Sequence, residues 1–390
     1  MRPFPLLAKS VLTTLLICSC SSRHRVAVDV IETDFMNKSE ITIHGVPVEA
    51  QLPLGASGIA VCDTFIIVTS SGNQARLHVY STQWQPLGSF CNIGRARNEF
   101  LYSVSTVSGQ FFKEPDGSIL VPLVDGRSGG IKVLDLTESV KRQSTVLVQQ
   151  RDDYYAYRFI KVNLDGAEVG FAAPRKFQFL NNDIYNAFEY NAALTVHPDY
   201  YEEPYYSISR DTMEIKRIKF LTSIDMEDVD YYEGSILKHP DRNLIIQPFS
   251  AMDYILFIDI DKDKTFAVHQ TGSLSFDDKL PTYELTEGVT EDGLQYIEDN
   301  MIQHFGHAAY ADSFFMVLYF AGDYSINSPD PESPLAELLF FGLDGRFLKS
   351  VKLDVPVWDI AYDGSRNILY GMDGFNELLY SFDLSSVLLR

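Results

Sequence analysis

Short apolar runs rich in Val, Ile, Phe and Tyr alternate with Gly, Asp, Asn and Pro along nearly the whole chain. Few stretches carry the 3.6-residue apolar repeat of an amphipathic helix, so the pattern is that of many short β-strands. One unit recurs: an alternating strand, a polar turn, then a second strand. It reads Leu77–Phe90, then Ile131–Lys141, Tyr205–Phe220, Ile255–Val268, Leu338–Val351 and Leu378–Val387. A further strand precedes most of these, as in Asp63–Thr69, Asp116–Leu123, Asp241–Gln247, Asp312–Tyr319 and Gly364–Gly371. Inner-strand candidates such as Gly58–Val61 and Trp358–Tyr362 come before those. Four strands per unit and six units predict an all-β chain, a six-bladed β-propeller of four-stranded antiparallel blades. Open edges are a liability. The last unit ends early, so the N-terminal strand Ile41–Val48 is expected to close the last blade.

The first residues follow a different rule. Arg2 and Lys9 precede the apolar run Ser10–Ile17, which has the length of a signal-peptide core and is too short to span a bilayer. Ile17-Cys18-Ser19-Cys20 resembles the lipobox of bacterial lipoprotein signal peptides, with Ser19 just before the cysteine to be acylated, Cys20. Cys18 is the poorer choice because Ile17 before it is bulky. The expected division is a leader at 1–19, a polar tether at 20–37 and one domain at 38–390. An acyl anchor would then be the only contact with membrane. The basic stretch Ser21–Arg25 favours an outer-membrane protein facing the periplasm.

Charge narrows the partners. With 32 Lys and Arg against 53 Asp and Glu in 390 residues, the formal charge is −21. Losing 1–19 removes only positive charge. A phosphate backbone needs a basic face, so nucleic acid is excluded, as is docking on an anionic lipid surface. Two cysteines remain, Cys62 on the inner strand of the first blade and Cys91 on its outermost strand. Three strand spacings put them about 14 Å apart, beyond the roughly 7 Å a disulfide allows. Both are expected as buried free thiols.

Asn92-Ile-Gly-Arg-Ala-Arg-Asn-Glu-Phe100 after the first unit is similar to the segment Gly-x-Gly-Pro-x-Glu-Phe of TolB-like six-bladed β-propeller lipoproteins of Bacteroides-type bacteria. Gly94, Glu99 and Phe100 match it; Ala96 and Arg97 stand where that family has Gly and Pro. The resemblance implies a fold and a cell-envelope location, and no activity.

Propeller ligands usually sit at the channel mouth, where loops lead into the innermost strands. Those loops are about 98–104, 151–158, 229–234, 298–308 and 354–359. Tyr154, Tyr157, Tyr231, Tyr232, His304 and Trp358 fall in them and offer flat apolar faces with polar edges. They are the candidate binding residues for a protein, peptide or glycan partner. The alternative is a metal-dependent hydrolase or lyase with Glu99, Asn300, His304 and Asp359 converging in the channel. No nucleophile elbow, P-loop or dinucleotide motif is present, so no cofactor is expected. Asp259-Ile-Asp-Lys-Asp263 has neither the Gly nor the Glu of a calcium loop and reads as a hairpin turn. A binding or scaffold module is therefore expected ahead of an enzyme.

Overall fold

The computed structural model describes residues 28–35, 41–148, 235–273, 302–325 and 335–388 with short breaks, and strands within 157–217 as backbone. Hairpin-linked antiparallel strands stack outward from an inner first strand, which makes each sheet a propeller blade. In the first blade Ala56–Cys62, Phe65–Ser70, Ala75–Ser81 and Pro86–Asn92 pair in sequence order. First strands of neighbouring blades lie side by side, as Ala56–Cys62 does with Asp359–Asp363 and the latter with Ile302–Tyr310. These strands ring the central axis.

The expected six uniform blades are corrected. Among the described residues the propeller has five blades of three to five strands. The unit expected across 154–222 does not form one blade. Its strands fall into two separate sheets, Tyr157–Leu164 with Ala167–Val169 and Ile184–Phe188, and Phe171–Ala173 with Lys176–Gln178, Tyr206–Ile208 and Ile215–Arg217.

Strand number also varies, for local reasons. In the blade holding Val104–Thr106, Phe112–Lys113, Ile119–Asp125 and Gly130–Asp135, the expected strand after residue 135 is a helix, Leu136–Arg142. Asp135 caps it by accepting from the Glu138 N–H at 2.8 Å, and Arg142 and Lys141 pair with Glu138 one turn on. Likewise Leu378–Asp383 is followed by the short helix Ser385–Leu388 and not by a strand.

The N-terminal segment makes up strands elsewhere. Asp29–Thr33 adds in parallel to Lys264–Gln270, Thr42–Ile43 in parallel to Phe347–Leu353, and Val46–Pro47 antiparallel to Leu378–Asp383. Three consecutive blades thus have their outer edges covered by one strap. The folded part starts at or before Asp29, inside the stretch expected as a tether.

Apolar alternation places the core in seams between blades. Ala361, Tyr370 and Met372 of the last blade pack with Ile59, Ile66 and Val68 of the first, which closes the ring. Arg366 reinforces this seam by donating to the Thr82 carbonyl at 2.5 Å and to Tyr370 at 2.7 Å. Phe35 of the strap is fully buried among Phe305, Tyr319, Phe341 and Phe347 in another seam. Cys62 and Cys91 are free and buried, on the inner and outermost strands of the first blade.

Candidate functional site

The wall of the channel is built where three first strands meet. Asp359 begins the strand Asp359–Asp363 and directs its carboxylate both ways along the ring. One oxygen, Oδ1, lies 2.6 Å from His307 Nδ1 of the preceding blade. The other, Oδ2, accepts the Ile59 N–H of the following blade at 2.9 Å. Gly58 makes the second approach possible: a Cβ there would sit 3.1 Å from Asp359 Oδ2 and 2.7 Å from Thr69 Oγ1. His307 keeps 59% of its side-chain surface exposed while Asp359 keeps 14%. The carboxylate therefore orients an imidazole that faces solvent, and that ring can donate or accept toward a ligand.

His304, three residues earlier, points elsewhere. A register shift between Phe305 and Ala308 in the pairing with Phe314–Ser325 allows it. His304 is buried, with Nδ1 2.6 Å from Asp253 Oδ1 of the neighbouring blade. Tyr319 donates to that same oxygen at 3.0 Å, and the His304 N–H donates to the Ser250 carbonyl at 2.6 Å. This network ties two blades together behind the channel surface.

Of the expected binding residues, Trp358 and His304 lie among the described residues with their side chains, and both are drawn into packing. The Trp358 ring is half-buried against Phe320 at 5.4 Å, and the Trp358 backbone N–H donates to the Met372 carbonyl at 2.8 Å. Tyr157 begins a strand opposite Phe188. Tyr154, Tyr231 and Tyr232 lie outside the described residues, as does Cys20.

The metal set is not assembled. Among the described residues no group of three or more His, Cys, Asp and Glu is placed to hold an ion. Glu99 closes its own loop by accepting the Ala96 N–H at 2.7 Å, His304 serves Asp253, and Asp359 serves His307 and Ile59. Asn300 lies outside the described residues. In the loop after the first blade, Phe100 is fully buried and Lys132 sits over its ring at 4.5 Å while donating to the Glu99 carbonyl. The segment that carried the family resemblance is thus a latch between two blades. His307 is not among the residues its sequence context marks as candidates.

No protein-family model matches the chain, and no curated protein matches it. Solved structures align over most of its length at low similarity. A Bacteroides fragilis protein described as exported gives a TM-score of 0.46 at 9% identity, covering 92% of this chain and 99% of its own. A member of the DUF4221 family from Bacteroides vulgatus gives 0.46 at 10% identity, covering 87% and 95%. Hydrazine synthase of Kuenenia stuttgartiensis gives 0.41 at 13% identity, covering 88% and 80%. The expected TolB-like, six-bladed family membership is corrected, together with the lipoprotein, periplasmic and outer-membrane assignments attached to it: no family model matches, and the blades among the described residues number five. At these scores and identities the likenesses assign neither a family nor an activity.

Proposed function

We propose that the chain is an exported binding module whose ligand docks at the channel wall, on His307 as oriented by Asp359. The observation that carries this reading is the exposed imidazole held by a largely buried carboxylate, which is itself fixed by a backbone N–H from a third strand. Fixing a polar group before the ligand arrives lowers the ordering cost of binding. A ring assembled from separate blades suits this role, because its wall draws one residue from each. The partner classes that fit an exposed imidazole in a concave wall are a peptide or a glycan, both rich in hydrogen-bonding groups.

Export rests on Arg2, Lys9 and the apolar run Ser10–Ile17, read as a leader removed before Cys20. N-terminal sequencing of the protein recovered from its native host tests it. A mature chain starting at Cys20 supports the reading, and an intact Met1 in the cytosolic fraction removes it.

For the site, glycan and peptide arrays probed with the mature protein and with Asp359→Asn are the direct experiment. Ligands retained by the native protein and lost by Asp359→Asn support the channel wall. Equal retention by both moves the site elsewhere on the molecule.

A further inference from the structure

A cavity of about 560 Å³ opens between the blade of Leu237–Gln270 and the blade of Ile302–Leu353. It is framed by hairpin turns, those around 242, 262–263, 313 and 342–346, which join first to second and third to fourth strands. The channel wall around Asp359 is reached from the opposite strand ends. The volume falls in the range of small-molecule sites.

Its charge runs against the chain. Arg242, Lys262, Lys264 and Arg346 line it against Asp259 and Asp344, four basic to two acidic, where the whole chain has 32 basic to 53 acidic. The two acids are already engaged. Asp259 Oδ2 pairs with Lys262 Nζ at 2.5 Å, and Asp344 Oδ1 accepts the Arg346 backbone N–H at 3.2 Å within its own turn. Among the described residues, Arg242, Lys264 and Arg346 form no ion pair with a carboxylate. They come from separate segments of two blades and face one space.

Apart from Ser313 and Gly342, the rest of the lining is apolar: Leu244, Phe266, Phe314, Leu343 and Leu348. Lys264 Nζ lies over the Phe266 ring at 4.8 Å, so charge and aromatic face are presented together. The cleft is also held at a set width. Gly345, at φ +83°, lets the 342–346 turn lean on the neighbouring blade, where a Cβ would stand 2.7 Å from Phe266 Cε2.

We propose that this interblade cleft is a binding site for a small organic anion, a phosphate or carboxylate carried on an apolar body. Arg242, Lys264 and Arg346 take the anionic group, with Arg suited to two-pronged contact. Phe266, Phe314 and Leu348 cover the apolar part. The site is separate from the channel wall and stands or falls independently of it.

Calorimetric titration with phenyl phosphate, inorganic phosphate and phenol tests the proposal on the intact chain. Saturable one-to-one binding of phenyl phosphate, millimolar or tighter and stronger than either part alone, is expected. The double variant Lys264→Gln/Arg346→Gln should weaken it by at least about tenfold, with an unchanged melting temperature because both side chains are exposed. Lys113→Gln, removing an exposed lysine from another blade, should leave it unaltered. Absence of saturable phenyl phosphate binding, equal binding by the double variant, or equal binding of inorganic phosphate would each overturn the proposal.

Discussion

His304 Nδ1 and Asp253 Oδ1 stand 2.6 Å apart across a blade boundary, with 10% and 7% of their side-chain surfaces exposed. Tyr319 adds a hydrogen bond to the same oxygen. Removing one member of a buried pair strands the other without water, which costs about 3–5 kcal/mol. Asp253→Ala is therefore expected to lower the unfolding free energy by that amount. A double-mutant cycle with His304→Ala should return a coupling of about 1–3 kcal/mol. Urea unfolding of the four proteins measures it; strictly additive losses would show the pair to be uncoupled.

Phe35→Ala should be among the most damaging changes outside the blades proper. Its ring is fully buried and meets Tyr319 edge to face at 5.4 Å and Phe341 at 5.7 Å. Emptying such a site costs about 3–5 kcal/mol. A drop in melting temperature, together with faster protease cutting near residues 28–47, is the expected readout. A loss within about 0.5 kcal/mol would mean the strap does not hold the seam.

Acid should weaken the seam that closes the ring. Burial opposes ionisation of Asp363, but the Ser365 hydroxyl and the Arg366 guanidinium outweigh it and hold the carboxyl below its ordinary value of 3.8. A folded-state value below the unfolded one contributes stability above the unfolded value and loses it as pH falls through the folded one. The stability difference between the native protein and Asp363→Asn should hold constant at neutral pH and shrink below about pH 4. Unfolding midpoints measured from about pH 6 to about pH 2 check this, and a difference that persists unchanged in acid contradicts it.

Cys62 and Cys91 should resist thiol reagents in the folded protein. Burial pushes both thiols well up; nearby Asp63 adds to this at Cys62, and Lys132 only partly offsets it at Cys91. The thiolate is the reactive form. Titration with a chromogenic disulfide should find both silent in buffer and both reactive in denaturant. Prompt reaction of either in buffer would place it at the surface.

Much of the ring was legible because period-two alternation and Asp/Gly turns are local signals. The first blade is the clear case: Phe65–Ser70, Ala75–Ser81 and Pro86–Asn92 all lie where alternation put strands. The same signal misled after residue 135. There Asp135 and Glu138 have the spacing of a helix cap, and the alternating apolar residues are shared between a strand end and a helix face. Blade count was beyond reach, because which sheet a strand joins depends on pairing partners far away in sequence. The segment at 29–47 shows this: 41–48 pointed to the last blade, but its pairs with residues 264–270 and 347–353 leave no mark on its own residues. At the channel wall, His307 was hidden for a similar reason. Simple alternation places His304 and His307 on opposite faces, but a bulge decides which of them meets solvent, and a bulge is set by the facing strand.

The strap gives the chain an order of events. Its residues are made first, yet the strands they cover, ending with Leu378–Asp383, are among the last to be synthesised. Phe35 finds Gln270 only across 235 positions. Such distant pairings close slowly. Until the final hairpin exists, the edge that Val46–Pro47 covers is missing, so the polypeptide cannot lock into its finished ring from the front.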